Sequence, residues 1–306
     1  MRQALLAMSV PVAAAWARPG LAALAVGWAA VLLWGGSPIA TRFAVLGLDP
    51  FAVGLLRTLL AALIALPLAL ALRLKLPRGR RGWILLLGTA LGSYVLFPIL
   101  FSIGVRHTTA SHAALVHAST PLFTGIIAAL LERRWPAGWW WVGVAIALIG
   151  EALLIGLGRG LDESGVTVTG DLIVFAACVA VAFGYVAGGS LSQSLGSLSV
   201  TFWGVVLAAF LALPGLPLMS LSELVAAQPS SLLGLSYLVV ISSVVGYIAW
   251  NWALARGGIG RTGVLQFAQP VLTVILAVLL LGESLSVSVV FSSAVILAGV
   301  AIARRG

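Results

Sequence analysis

Apolar residues fill this chain in long runs that are separated by short polar connections. The runs are about 20 residues long, which is the length that an α-helix needs to cross the hydrocarbon core of a membrane. The pattern predicts an all-α polytopic membrane protein with ten transmembrane helices. The predicted spans are residues 21–45, 50–72, 82–105, 109–131, 137–157, 170–194, 199–219, 231–255, 260–281 and 285–304.

One stretch of this pattern occurs twice. Residues 121–131 read PLFTGIIAALL and residues 270–280 read PVLTVILAVLL, so six identities recur 149 positions apart. The same offset relates Ser93 to Ser242, and such internal similarity indicates a duplicated unit. The predicted organisation is an N-terminal tail at 1–20, a first five-helix repeat at 21–158, a linker at 159–169 and a second five-helix repeat at 170–306.

Lysine and arginine are concentrated at one set of span ends. These ends carry thirteen of them and the opposite ends carry three. Because positive residues favour the cytoplasmic side, we expect both termini in the cytoplasm and the linker outside. An odd number of spans in each repeat then predicts two inverted repeats around a central cavity. The first 17 residues also resemble a signal peptide, so a cleaved N-terminus is an alternative.

Composition narrows the class of function. Hydrophobic residues make up 61% of the chain and charged residues 8%, whereas soluble domains carry roughly 25% charged residues. The net charge of +9 lies at span ends, so we expect a lipid bilayer and no nucleic acid as partner. No soluble protein partner is evident, since no long polar segment exists. No glycine-rich phosphate loop is present, and no cofactor is expected.

Polar and aromatic side chains gather near the middle of several spans. A polar group that faced lipid would lack hydrogen-bond partners, so these side chains are expected to face protein or a watery cavity. Hydrogen bonding between helices is the alternative role. The candidate substrate-binding residues are Trp34, Tyr94, His112, Ser119, Tyr185, Tyr247, Trp250, Asn251, Gln266 and Gln269.

Two prolines, Pro121 and Pro270, lie near the middle of spans four and nine. Each removes a backbone donor, and Pro270 is expected to leave the carbonyl of Gln266 without its helical partner. Their recurrence in both repeats predicts hinges, and a tolerated kink is the alternative.

Few ionisable residues fall inside the spans. Arg57 and Glu151 are each expected roughly 10 Å below the external surface, in either a coupling or a structural role. His107, His112 and His117 are five residues apart and do not share one helix face, so no metal site is expected. His112 or His117 is instead a candidate cavity-lining group.

These features resemble the EamA-type branch of the drug/metabolite transporter superfamily. The resemblance is carried by residues 121–132 with Gly143 and Gly150, by residues 270–283 with Gly299, and by Trp34-Gly35 and Arg57. It implies that spans one to four and six to nine surround a central cavity. It also implies transport of amino acids and other small metabolites, and the aromatic and general amino-acid exporters are the most similar branch in length and topology.

We therefore expect a secondary transporter of the bacterial inner membrane, not an enzyme. It would export amino acids or similar small molecules by alternating access. A multidrug exporter of amphipathic cations with the same fold is the main alternative, because aromatic walls also suit cations. A passive channel is a further alternative, although it would need a continuous polar face through several spans.

Overall fold

The computed structural model describes residues 20–107, 113, 116–132, 135–157, 168–219, 227–273, 287–303 and 305. Six helical segments in these ranges are long and apolar enough to cross a membrane, and they coincide with predicted spans one, two, three, six, seven and eight. Three shorter apolar helices coincide with spans four, five and ten. The chain is therefore a multi-pass membrane protein. The predicted tail and most of the linker lie outside the described residues.

The helices follow one another with short connections. In chain order they are α1 Leu21–Gly35, α2 Ser37–Gly47, α3 Pro50–Ala71, α4 Gly79–Thr89, α5 Phe97–His107, α6 Thr120–Glu132, α7 Gly138–Leu157, α8 Val168–Leu195, α9 Ser197–Ala212, α10 Pro229–Tyr237, α11 Tyr247–Gly257, α12 Ile259–Gly263 and α13 Val287–Ala303. Two π-helical turns, Ala90–Leu96 and Leu238–Gly246, and two 3₁₀ turns, Leu213–Leu218 and Val264–Ala268, lie between them.

The first span is broken in its middle, which the apolar pattern did not predict. α1 ends at Gly35 and α2 begins at Ser37, with Pro38 in its first turn. A proline at this position has no N–H to donate to the carbonyl four residues earlier, which is that of Trp34. The break therefore leaves the carbonyl of Trp34 without its regular helical partner, and this carbonyl accepts the N–H of Gly36 instead.

The two π-helical turns occupy equivalent positions in spans three and eight. Ser93 lies in the first turn and Ser242 in the second, 149 positions apart. Because a π turn widens the helix, its carbonyls are available to side chains from other helices. Tyr247 Oη donates to the carbonyl of Ser93 at 3.0 Å, and Trp34 Nε1 donates to the carbonyl of Ser242 at 3.0 Å. Each π turn is thus held by an aromatic residue of another helix segment.

The two predicted hinge prolines lie at helix starts rather than within continuous helices. Pro121 is the second residue of α6, after a turn at residues 118–119, and Pro270 is the second residue of the helical segment 269–273, after the 3₁₀ turn. A first-turn proline sacrifices no helical hydrogen bond. The carbonyl of Gln266 is also not free as expected, because it accepts the N–H of Gln269 at the end of the 3₁₀ turn.

Close glycine packing joins α7 to α13 at one side of the molecule. A Cβ added to Gly150 would lie 2.8 Å from the backbone N of Ile296, and one added to Gly299 would lie 2.5 Å from the backbone N of Ala147. The two contacts correspond to each other, because Gly299 follows Gly150, and Ile296 follows Ala147, by the same 149 residues. Around the centre, α1 packs on α11, α2 on α10, α3 on α5 and α9, and α5 on α8.

Candidate functional site

A narrow cleft with a cavity volume of about 20 Å³ lies at the centre of the described helices. Its lining comes from the broken first span, from α3, from spans three, four and six, and from the irregular parts of spans eight and nine. The lining residues are Trp34, Ser37, Pro38, Thr41, Arg57, Phe97, Phe101, His117, Tyr185, Ser242, Tyr247, Gln266 and Gln269. An adjoining space of similar size, about 20 Å³, extends past Pro270 and Thr273.

Four of the side chains that line the cleft are almost completely buried. Trp34 is 4% exposed, Gln266 3%, Gln269 5% and Arg57 5%. A polar group that is removed from both water and lipid needs partners inside the protein. The hydrogen bonds of these side chains therefore show which of their polar atoms are occupied and which are available.

Arg57 reaches across the cleft from α3 to the π turn of span eight. Its Nε donates to Ser243 Oγ at 2.6 Å, and its Nη2 donates to Ser242 Oγ at 2.7 Å. Ser37 Oγ donates to the same Ser242 Oγ at 3.1 Å. The guanidinium is thus held by neutral hydroxyl groups, and one serine joins the first, second and eighth spans.

The carbonyls at the break of the first span are occupied by side chains. Gln269 Nε2 donates to the carbonyl of Trp34 at 3.2 Å, and the same carbonyl accepts the N–H of Gly36. Thr273 Oγ1 donates to the carbonyl of Gly35 at 2.7 Å. Span nine is therefore hydrogen-bonded to the first span at its break.

The two glutamines each have one unused oxygen. Gln266 Nε2 donates to Tyr185 Oη at 3.2 Å. Gln269 Nε2 donates to the carbonyl of Trp34. Because a carbonyl can only accept, this bond fixes which end of the Gln269 amide is the oxygen. Neither Gln266 Oε1 nor Gln269 Oε1 accepts a hydrogen bond of normal length from the described residues, and the imidazole of His117 lies beside the Gln269 amide. Buried acceptors without partners are costly, so these two oxygens are positions where a ligand donor would be favoured.

Aromatic rings form one wall of the cleft around Trp34. Its ring stacks on Tyr185 with centroids 5.7 Å apart and an interplanar angle of 12°. Tyr247 meets it edge-on at 5.1 Å, and Trp250 lies at 5.4 Å. Such a cluster provides a flat apolar surface with aromatic faces beside the amide oxygens.

The structure brings only part of the predicted binding set to the cleft. Trp34, Tyr185, Tyr247, Gln266 and Gln269 line it. Tyr94 lies behind Tyr247, with ring centroids 4.5 Å apart, and Trp250 packs behind Trp34.

Other predicted residues are occupied elsewhere or are not described. Asn251 Nδ2 donates to Thr201 Oγ1 at 3.1 Å, and Ser119 Oγ donates to the carbonyl of Val116 at 2.6 Å, so both side chains bind protein groups. His112 and the side chain of Glu151 lie outside the described residues.

Several lining residues were not in the predicted binding set. Arg57 was expected in a coupling or a structural role, and the structure places it in the lining of the cleft. Pro38 was not singled out, although the sequence Gly-Gly-Ser-Pro at 35–38 is a helix-breaking signal. His117 was named only as a candidate cavity-lining group, and it lines the cleft against Phe97 and Phe101. Its Nδ1 is 3.4 Å from Thr120 Oγ1 and 3.7 Å from Cys178 Sγ. Within the described part of the chain no group of three metal-ligating residues occurs.

Similarity to known proteins covers almost the whole chain. The profile of the EamA-like transporter family matches residues 21–156 and 168–305. The uncharacterized transporter YdeK of Bacillus subtilis is 32% identical over 279 residues, which cover 91% of this chain and 96% of that protein. An uncharacterized transporter of Archaeoglobus fulgidus is 24% identical, with coverage of 88% and 93%. A solved crystal structure with 23% identity has the same fold, with a TM-score of 0.75 over 92% of this chain and 97% of its own.

Proposed function

The chain belongs to the EamA-like transporter family, and from that premise we propose that it exports amino acids or similar small metabolites across the bacterial inner membrane. It acts as a secondary transporter by alternating access, with the substrate bound in the central cleft. This places it beside the aromatic and general amino-acid exporters of the family.

The observation that carries this proposal is the pair of unused glutamine oxygens beside an aromatic wall. An α-ammonium group has three N–H donors, which suit two buried acceptor oxygens. The stacked rings of Trp34 and Tyr185 offer an apolar surface to the side chain of a substrate. Gln266 and Gln269 are the residues that we assign to the ammonium end.

Alternating access is supported by the offset that relates parts of the two halves. The π turns, the serines within them and the glycine contacts between α7 and α13 all recur 149 residues apart. We interpret these halves as inverted five-helix repeats in a ten-helix bundle. The interrupted helices at Gly36 and at residues 264–268 line the cleft, as interrupted helices do at midplane sites of secondary transporters.

Counterflow in proteoliposomes tests the substrate class. Vesicles loaded with one unlabelled amino acid should accumulate the same labelled amino acid, because exchange through one site needs no other driving force. A panel of amino acids and cationic dyes is compared in vesicles of the same preparation. Empty vesicles are the control for leakage.

The multidrug alternative predicts the opposite result. Aromatic faces attract organic cations, so a drug exporter would accumulate the cationic dyes and ignore amino acids. Accumulation of dyes alone would overturn the proposed substrate class. Uptake that proceeds without exchange and does not saturate would indicate a channel.

A further inference from the structure

We propose that Arg57 binds the carboxylate of the transported molecule, with Ser242 and Ser243 holding the guanidinium in place. The inference rests on the proposed function, since it assigns the other end of the substrate in the same cleft. It changes Arg57 from a structural or coupling charge into a residue that determines specificity.

The first step in the argument is geometry. Nε and Nη2 of Arg57 each donate to a serine hydroxyl, at 2.6 and 2.7 Å. A guanidinium has five N–H donors in a rigid planar fork, so these two bonds fix its plane and leave donors for a ligand. The side chain lines the cleft while being 5% exposed. A ligand in the cleft therefore meets a guanidinium that is already oriented.

The second step is charge. Asp49 and Asp171 are the acidic residues whose side chains the structure describes, and both belong to helix starts, where Asp49 accepts the N–H of Ala52. Within the described part of the chain, Arg57 donates to neutral hydroxyl groups. A buried cation that is held only by neutral groups is strongly unfavourable unless an anion joins it. A carboxylate in the cleft would supply that anion, and Arg and carboxylate groups form two parallel bonds.

The third step is that hydrogen-bond donors and acceptors line the same cleft. Arg57 offers donors, whereas Gln266 Oε1 and Gln269 Oε1 are acceptors without partners among the described residues. All three side chains line the same cleft. A molecule with a carboxylate at one end and an ammonium at the other matches both, whereas an organic cation without a carboxylate is repelled by the guanidinium. The cleft thus favours an amino acid over a cationic drug.

The test compares each acid with its carboxamide, which has the same size but lacks the negative charge. Thermal unfolding of the purified full-length protein is measured with a series of amino acids, with their carboxamides, and with carboxylic acids that lack an amino group, such as 3-phenylpropionate. Binding to the native state raises the melting temperature. We expect acids to bind about tenfold to a hundredfold more tightly than amides, as loss of a bond to a charged group implies.

Variants show which residue causes the preference for acids over amides. Arg57→Gln should abolish the preference for acid over amide, and Arg57→Lys should keep part of it because the charge remains but the planar fork is lost. Arg256→Gln is the matched control, since Arg256 is exposed and lies over the ring of Trp252 at 4.7 Å. It should retain the full preference. If Arg57→Gln fails to fold, the comparison of acid and amide in the unchanged protein still shows whether the cleft recognises a carboxylate.

The outcomes separate this inference from the proposed function. Equal binding of acids and amides by the unchanged protein would overturn the role of Arg57, even if amino acids accumulate in counterflow. If amino acids do not accumulate but simple carboxylic acids stabilise the protein through Arg57, then Arg57 binds carboxylates and the proposed amino-acid substrate is wrong.

Discussion

Two buried amides have different surroundings in this protein. The Gln266 side chain lines the cleft, and its Oε1 has no hydrogen-bond partner among the described residues. The Asn251 side chain instead donates to Thr201, and its Oδ1 lies close to Gly188. Both residue types bring the same donors and acceptors. Their roles therefore depend on what each side chain contacts, and substitution should separate binding from stability.

Gln266→Leu should weaken binding of the transported amino acid about tenfold to a hundredfold, because a charged ammonium would lose one acceptor. The measurement is the rise in melting temperature at a fixed concentration of the amino acid that is transported in counterflow. This rise should become much smaller in the variant.

Asn251→Leu is the matched comparison. It removes the bond to Thr201 and should lower the stability of the protein by about 1 kcal/mol. The rise in melting temperature with substrate should be retained, because Asn251 does not line the cleft. Equal loss of substrate-induced stabilisation in both variants would contradict the assignment of the two amides.

At the scale of helices, backbone contacts determine how closely spans three and six approach. A Cβ added to Gly92 would lie 2.7 Å from the backbone N of Gly184 and would also meet the carbonyl of Ala180. Backbone atoms cannot move aside as a flexible side chain does. The first π turn is therefore fixed against α8 by the absence of a side chain at this residue.

Gly92→Ala should thus destabilise the protein by about 1–3 kcal/mol through overpacking. Gly138→Ala is the control, because a Cβ at Gly138 would have no heavy atom within 4 Å. Melting temperatures of the two variants, purified in the same detergent, provide the measurement. A melting temperature of the Gly92 variant equal to that of the unchanged protein would show that the two helices are farther apart than described.

Helix interruptions were only partly predictable from the sequence. The apolar pattern located the spans, because membrane thickness sets their length. The break at Pro38 has a local signal that the pattern of apolar residues obscured. The π turns have no such signal, since Ala90–Leu96 and Leu238–Gly246 are ordinary apolar segments. Each π turn rotates the residues after it. The sequence made both Tyr247 and Asn251 candidates, and it did not indicate that Tyr247 lines the cleft whereas Asn251 does not.

At the scale of the whole molecule, the distribution of positive charge predicts the orientation in the membrane. The connection before α4 carries several Lys and Arg residues and is expected in the cytoplasm, while the end of the 3₁₀ turn after α9 is expected outside. Arg78 and Leu218 are exposed residues in these two places. They offer suitable positions for a labelling experiment.

Single cysteines at these positions, in a Cys178→Ala background, should react differently with a membrane-impermeant thiol reagent in intact cells. Leu218→Cys should be labelled, and Arg78→Cys should be labelled only after the cells are opened. The buried Cys178 is removed so that it does not contribute to the signal. Labelling of Arg78→Cys alone in intact cells would invert the orientation.

The two π-helical turns also have a consequence for changes in chain length. A π turn holds one residue more than the α-helical turn that would replace it, and one residue corresponds to about 100° of rotation around the helix axis. Deletion of Val240 would let span eight close as a regular α-helix of nearly the same length. The span would still cross the membrane, but Tyr247 would rotate away from Trp34 and from the carbonyl of Ser93. The extra residue in each turn therefore acts as a rotational offset, and losing it would misalign the cleft without removing any side chain that lines it.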